Sequence, residues 1–327
     1  MNRPLIWIAS LFCCIAASAQ EKVSTLFVDT RASFHQELSG GSYDSRLIGD
    51  QFNLHILGNI SPTIDYRIRH SISKQQFDEN NLFNGTDILY LNWQPNKHWS
   101  FLFGKYAVLI GGYEYDAAPI DVYFYSMFCG KIFQGFTFGG SASYHVNGNQ
   151  TIVAQICNSP LSLGLSNIYS YNLAWNGHIR PWWRTIWSVN IVEDMDHQFI
   201  NYIALGNHFS SGNTMLDLDV MNRGGIGQRR FFGGDMSFIS KFIWSLGNWN
   251  ICAKAGYEWN DARSIDSSGR AYDLVIAPGT EYFYGGCGLE WFPLGRDKIR
   301  LHAIYFRDSE LHCDNFQLGI TWKVRVI

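Results

Sequence analysis

The sequence is poor in charge and has no long apolar run beyond its first residues. Charged residues occupy only 16% of the 327 positions, whereas ordinary soluble domains carry about 25%. The formal net charge of -3 argues against a nucleic-acid partner, since such partners are recruited by strongly basic surfaces. The lack of a second apolar run excludes a bundle of membrane-spanning helices, each of which needs roughly 20 apolar residues.

Cysteines are too few and too irregularly spaced for a disulfide framework. Five of them follow the first 20 residues, and these are Cys129, Cys157, Cys252, Cys287 and Cys313. Their number is odd and their spacings are scattered. No complete set of disulfides is therefore predicted, even in an oxidising compartment.

Residues 1–19 have the features of a secretory signal peptide. Arg3 precedes an apolar run over residues 5–17, and small residues end the segment at Ala19, just before Gln20. This pattern predicts export from the cytoplasm with cleavage between Ala19 and Gln20.

Two alternatives to a cleaved signal peptide are less favoured. A membrane anchor needs a longer apolar run than this one. A lipoprotein signal would use Cys13 or Cys14, but the preceding Leu11 and Phe12 are not the small residues that such a site prefers.

The sequence is rich in aromatic residues, at 16%, and in glycine, at 31 positions. A chain of this kind without long apolar helices can meet lipid as a closed β-barrel. Over residues 316–326 every second residue is apolar and those between are polar, charged or glycine, and the same alternation occurs near residues 26–33, 64–69 and 250–258. Such strands put one face on hydrocarbon and the other on water, although a soluble β-sandwich also alternates.

The connections between these strands differ in length on the two sides of the sheet. Seven are short, at residues 59–62, 94–98, 146–149, 178–181, 210–213, 246–248 and 293–297. Six are longer, at 37–46, 74–85, 108–135, 159–167, 222–234 and 260–279, and two of modest length, at 193–197 and 308–313, belong to the same side. Residues 20–327 are thus predicted to form an all-β, transmembrane antiparallel barrel of about sixteen strands, with short periplasmic turns and longer extracellular loops.

Tryptophans cluster near the short turns. The residues are Trp93, Trp99, Trp175, Trp182, Trp183, Trp244, Trp249, Trp291 and Trp322. Because indoles prefer the lipid headgroup level, this placement predicts an aromatic girdle at one membrane interface. The core of a sandwich would not explain why these residues gather beside the short turns.

The strand at residues 99–105 ends in Gly104-Lys105 and leads into a loop with glycines and Glu114 over residues 111–123. In these features and in overall length the chain resembles the phosphate-selective porin O and P family, in a form like those of Bacteroidetes. The resemblance implies a bacterial outer-membrane channel that forms homotrimers. Two features depart from it, since the chain ends in Ile327 instead of an aromatic residue and the loop lacks the basic cluster of a phosphate filter.

The third loop, residues 108–135, is the longest. The resemblance implies that it folds inward and narrows the pore, with Tyr113, Glu114, Tyr115, Asp116 and Asp121 at or near the constriction. The alternative is a loop packed outside as a lid or subunit contact.

The water-facing positions of the strands carry the charges expected to line a pore. The candidate residues are Arg31, Asp65, Arg67, Arg69, Lys105, Arg184, Lys241, Lys254, Arg300, Lys323 and Arg325, with Asp29, Asp217, Asp219 and Glu258 among the opposing carboxylates. A net basic wall attracts anions, whereas the acidic loop opposes that field. Alternatively, these side chains pair across neighbouring strands and only keep the interior polar.

These features favour an outer-membrane porin for passive diffusion of small hydrophilic solutes, with mild anion preference, surrounded by outer-membrane lipid. No cofactor or metal is expected, because Asp217 and Asp219 supply too few oxygen ligands for calcium. The histidines are scattered, and no serine motif that would indicate a hydrolase accompanies them. A non-conducting barrel that anchors a secretion or adhesion complex remains the alternative.

Overall fold

The structure is a computed structural model that describes residues 23–73, 85–132, 135–161, 167–225, 231–261, 276–296, 298–309 and 312–327. The predicted signal peptide and its cleavage site lie outside the described residues. Within the described part no helix is both long and apolar enough to cross a membrane.

The described residues form sixteen β-strands and two short helices. The strands are β1 Val23–Ser39, β2 Ser42–Ser61, β3 Ile64–Ser71, β4 Thr86–Trp93, β5 Trp99–Ala107, β6 Phe136–Asn147, β7 Gln150–Asn158, β8 Tyr169–Arg180, β9 Trp183–Glu193, β10 Phe199–Ser211, β11 Thr214–Gly225, β12 Asp235–Leu246, β13 Trp249–Asn260, β14 Thr280–Trp291, β15 Ile299–Asp308 and β16 Asp314–Arg325. Helices α1 (Tyr113–Asp116) and α2 (Met127–Ile132) lie between β5 and β6, with a 3-10 turn at Pro119–Asp121 between them.

The sixteen strands close into one antiparallel barrel, which confirms the predicted fold. Each strand pairs with the next along the chain, and β1 closes the sheet by pairing with β16. That seam runs from Phe27 opposite Arg325 to Leu38 opposite Asp314. Closure satisfies the backbone hydrogen bonds of every strand, as a span across hydrocarbon requires.

Where the structure describes them, the predicted connections agree with it to within about two residues, except at residues 222–225, which belong to β11, and at the first hairpin. Residues 37–46 were expected to form a long loop, but β1 and β2 continue through them and turn at Gly40 and Gly41. Both glycines have positive φ, at 54° and 88°, which a two-residue turn of the kind favoured in hairpins requires. The Gly-Gly pair therefore extends the hairpin where a loop was predicted.

The two faces of the barrel differ as the alternation predicts. Outward side chains are apolar and exposed, as at Phe103 (59%), Leu173 (53%) and Leu318 (55%). Inward positions carry polar groups, such as Asn190 and Gln317, that are at most 1% exposed.

The tryptophan girdle follows the same rule. Six of the nine tryptophans predicted for the girdle are exposed, namely Trp93, Trp99, Trp182, Trp244, Trp249 and Trp291. The other three, Trp175, Trp183 and Trp322, are half-buried. Trp249 stacks on Trp291 with ring centroids 5.6 Å apart. Indole rings in such positions match the preference of tryptophan for the membrane interface.

Candidate functional site

Loop 3 (residues 108–135), in its described part (108–132 and 135), lies inside the barrel and packs against its inward face. Tyr115 and Phe128 of the loop belong to the same apolar cluster as Val192, Ile200 and Tyr202 of β9 and β10. The Phe128 side chain is fully buried. Burial of these apolar side chains therefore holds helices α1 and α2 of the loop against β9 and β10.

The first residues of loop 3 are hydrogen-bonded to amide side chains on the inner wall. Gln155 accepts a hydrogen bond from Leu109 N at 2.7 Å, and Asn190 Nδ2 donates to Leu109 O at 2.6 Å. Two residues further on, Gly111 N donates to Ser188 Oγ at 2.7 Å. These bonds satisfy backbone groups that would otherwise be buried without partners.

Helix α1 is fixed to β11 and β13 by two carboxylates. Asp219 accepts hydrogen bonds from Tyr113 N and Glu114 N, each at 2.8 Å. Glu114 in turn forms an ion pair with Lys254 Nζ at 2.9 Å and accepts from Ser126 N at 2.7 Å. Asp219 and Glu114 therefore both position the loop.

Helix α2 begins on a carboxylate of β13. Glu258 accepts hydrogen bonds from Met127 N at 2.7 Å and Phe128 N at 3.1 Å. Glu258 also bonds to Ser237 Oγ, which accepts from Arg223 Nη1 at 2.8 Å. This fully buried network links the loop to β11, β12 and β13.

The tip of loop 3 reaches two arginines near the β1–β16 seam. Arg31 and Arg300 both donate to Ile120 O, at 3.1 and 2.8 Å. Their guanidinium carbons each lie 5.5 Å from the centre of the Tyr123 ring, a distance typical of cation–π contacts. Tyr123 OH donates to Glu290 at 2.6 Å, and burial raises the pKa of Tyr123, so the hydroxyl stays protonated.

The five predicted constriction residues occupy different environments within this loop. Tyr113 and Asp121 line a cavity in the lumen, and Asp121 forms an ion pair with Arg300 at 2.8 Å. Glu114 is buried in its pair with Lys254, and Asp116 is exposed. Tyr115 is only 3% exposed, so its ring belongs to the packed cluster and not to an open passage.

Several of the wall charges proposed from sequence have partners. Besides Lys254 and Arg300, Arg31 pairs with Asp50 at 3.4 Å and Arg69 with Asp87 at 3.5 Å. Asp65 accepts from Asn92 at 2.8 Å. Asp29 bonds to His55 at 2.9 Å.

Another group of wall cations forms no ion pair with any described residue. It consists of Arg67, Arg184, Lys241, Lys323 and Arg325. Lys323 instead stacks over Phe27, with its ammonium 4.0 Å from the ring centre, and Arg325 Nε donates to Ile327 O at 3.1 Å. We call these five residues the unpaired wall cations.

Lys105 differs from its sequence-based assignment to the pore. It pairs in register with Leu89 and Phe138, and Phe138 is 44% exposed on the outer face. Cross-strand partners share a face of the sheet, so the Lys105 side chain leaves its strand on the outer face of the barrel. The neighbouring Tyr106 pairs in register with Thr137, which is buried on the inner face, so the inward phase of β5 falls on Tyr106 and not on Lys105.

Five inward carboxylates were missed by the sequence interpretation. They are Asp50, Asp87, Asp235, Glu290 and Asp308. Asp50 and Asp87 sit at register shifts in β2 and β4, where strict alternation fails. Four of these groups pair with inward arginines: Asp50 with Arg31, Asp87 with Arg69, Asp235 with Arg223 and Glu290 with Arg300.

No group of three or more potential metal ligands occurs among the residues that the structure describes. Asp217 is hydrogen-bonded to His208 Nδ1 at 2.6 Å, and Asp219 accepts the two backbone amides of α1. The five cysteines Cys129, Cys157, Cys252, Cys287 and Cys313 are free thiols.

No family model and no curated protein matches the chain, whereas solved structures do. The outer membrane channel DcaP of Acinetobacter baumannii is 10% identical, with a TM-score of 0.65 over 91% of this chain and 96% of that one. The anion-selective porin from Comamonas acidovorans is 9% identical, with a TM-score of 0.59 over 92% and 99%. The trimer form of OmpT, an outer membrane protein of Vibrio cholerae, is 9% identical, with a TM-score of 0.58 over 92% and 99%.

At these identities the similarity establishes the fold, which is the closed barrel of bacterial outer-membrane porins. The narrower resemblance to the phosphate-selective porins is not confirmed, since no family model matches.

Proposed function

We propose that this protein is an outer-membrane porin that lets small hydrophilic solutes diffuse passively through its lumen. The observation that carries the proposal is a closed barrel with an apolar outer face, a charged inner face and a loop folded against that inner face. Such an arrangement provides a hydrated path through hydrocarbon and a constriction that limits solute size.

The proposal includes the N-terminal signal peptide and the outer membrane as destination. Cleavage between Ala19 and Gln20 releases the barrel for assembly, with lipid around its apolar band. A homotrimer is part of the proposal, and the trimer form of the Vibrio cholerae neighbour supports it.

A mild anion preference is supported by the unpaired wall cations. Charges in ion pairs largely cancel at a distance, whereas an arginine or lysine that forms no ion pair leaves a field in the lumen. Arg184 and Lys241 flank His208 and Asp217 in one cross-strand row. The anion-selective porin from Comamonas acidovorans, which has a similar fold, agrees with this preference.

A second function is favoured by the way loop 3 crosses the lumen. Its bonds reach β7, β9, β11, β13, β14, β15 and β1. A loop tied to so many strands suits a plugged barrel that anchors a secretion or adhesion complex. The charged wall favours the channel, since a plugged barrel has no need of unpaired cations.

The test is conductance of the purified, refolded protein in a planar bilayer under a KCl gradient. A porin gives steady single-channel steps, and the unpaired cations shift the reversal potential toward the chloride value. Adding phosphate then tests whether this anion binds in the pore. A folded barrel that stays silent would overturn the channel and support the anchor.

A further inference from the structure

A cavity of about 110 Å³ lies between loop 3 and the wall formed by β11 to β15. Much of its lining is apolar or aromatic, with Val122 and Phe124 from the loop facing Ile239, Ile304 and Phe306 from the wall. It is not enclosed, so a solute in the lumen has access to it. Its size suits a small branched aliphatic group, since a cavity of about 150 Å³ holds benzene.

The charged groups that border this cavity hold loop 3 in place, with two exceptions. Among the groups that hold the loop, Glu114 Oε2 is buried without a hydrogen bond to a described residue. Glu114 and Lys254 pair with each other, Asp219 accepts two backbone amides, and Glu290 bonds to Tyr123. Asp121 is held by Arg300. These groups are occupied with positioning the loop.

The exceptions are Asp217 and Lys241, which are neighbours on β11 and β12. They are direct cross-strand partners, yet they form no ion pair with each other. Asp217 Oδ1 bonds to His208 on the other side, which leaves Oδ2 without a hydrogen bond to any described residue. Lys241 is one of the unpaired wall cations.

Side chains directly opposite each other on antiparallel strands have Cβ atoms about 5 Å apart. An adjacent carboxylate and ammonium that do not close on one another can be bridged by a solute carrying the complementary pair of charges. An α-amino acid carries its ammonium and its carboxylate on the same carbon, the α-carbon. Its carboxylate would meet Lys241, its ammonium would meet Asp217, and its side chain would enter the apolar cavity.

We propose that the cavity between loop 3 and β11 to β15 is a binding subsite for small apolar zwitterions, with Lys241 and Asp217 as the charge-recognising residues. The inference rests on the proposed function, because it names a class of solute that the channel holds. It also differs from simple anion attraction, since it requires both charges on one solute.

The probes are L-leucine, 4-methylpentanoate, which lacks the ammonium, and 3-methylbutylamine, which lacks the carboxylate. Binding to the detergent-solubilised, refolded barrel is measured by saturation-transfer NMR on the methyl signals, with titration for affinity. Leucine is expected to bind at least about tenfold more tightly than either analogue, because each lost charge removes a charge-assisted hydrogen bond.

Variants separate the two charges. K241Q should weaken leucine about tenfold or more and leave 3-methylbutylamine unchanged, whereas D217N should weaken leucine and leave 4-methylpentanoate unchanged. K323Q is the matched control, because Lys323 is also one of the unpaired wall cations but does not border the cavity. The K323Q variant should bind leucine with the affinity of the native chain. Heat-modifiable gel mobility checks that each variant is folded.

Two results would overturn the subsite: leucine binding unaffected by K241Q, or 4-methylpentanoate binding as tightly as leucine. Conductance of the same preparation keeps the two proposals apart. A barrel that binds leucine but does not conduct would contradict the channel and support the subsite. A barrel that conducts but does not bind leucine would support the channel and contradict the subsite.

Discussion

Arg300 and Arg184 both project into the lumen from the inner face, yet the fold uses them differently. Arg300 holds the tip of loop 3 through Ile120 O and Asp121 and pairs with Glu290. Arg184 forms no ion pair with a described residue and is exposed to the lumen. A basic residue on an inner wall therefore either positions the loop or contributes to the field in the pore, and only its neighbours decide which.

Replacing Arg300 and Arg184 in two separate variants should give the largest difference in the free energy of unfolding. R300A leaves Glu290 and Asp121 without their cation, and losing one partner of a buried pair costs about 3 kcal/mol. R184A should change the free energy of unfolding by no more than about 0.5 kcal/mol. Urea unfolding in detergent micelles measures both.

The same pair of variants has a second readout. R300A should release the loop tip and make single-channel currents larger and noisier, whereas R184A should keep steady currents. Equal stability of the two variants would contradict the distinction between them.

Arg67 and Arg69 sharpen the comparison on one strand. The sequence treats them alike, but Arg69 pairs with Asp87, both being buried, while Arg67 has no ion-pair partner among the described residues. R69S should destabilise the barrel by about 2 kcal/mol through the lost charged hydrogen bond. R67S should leave stability nearly unchanged and move the reversal potential toward the potassium value.

The test for this pair is urea unfolding together with reversal potentials in a KCl gradient. A reversal potential that moves with R69S and not with R67S would show that pairing does not decide which arginine the permeating ions meet.

Replacing Lys323 should give the smallest change in reversal potential. Its ammonium is exposed at the rim and stacks on Phe27, so K323Q should shift the reversal potential less than R67S does. Because the Debye length falls from about 10 Å at 0.1 M salt to about 3 Å at 1 M, the shift should disappear in concentrated KCl. A shift that persists at 1 M would place Lys323 in direct contact with the permeating ions.

Strand number, connection positions and the lipid-facing residues could be predicted because each depends on local pattern. Alternation has a period of two residues in any strand, and turn residues mark its ends. The failures occurred where the local pattern changes. A register shift brought Asp50 and Asp87 inward, and the phase of β5 placed Lys105 outward.

The site was less predictable, because its partners are distant in sequence. Tyr123 was included in the loop pattern, but its contacts with Arg31, Glu290 and Arg300 join residues from both ends of the chain. Ile120 and Arg300 are 180 positions apart. No spacing rule connects such positions, since only barrel closure brings β1 and β15 to the same part of the lumen.

The sequence by itself determined a barrel, its sixteen strands, its apolar outer face and the position of the long third loop. The tertiary structure decided where that loop lies, which wall charges it engages and which five remain unpaired. The physical reason is the range of the interactions involved. Hydrophobic alternation acts within each strand, whereas hydrogen bonds and ion pairs across the lumen form only after all sixteen strands are in register.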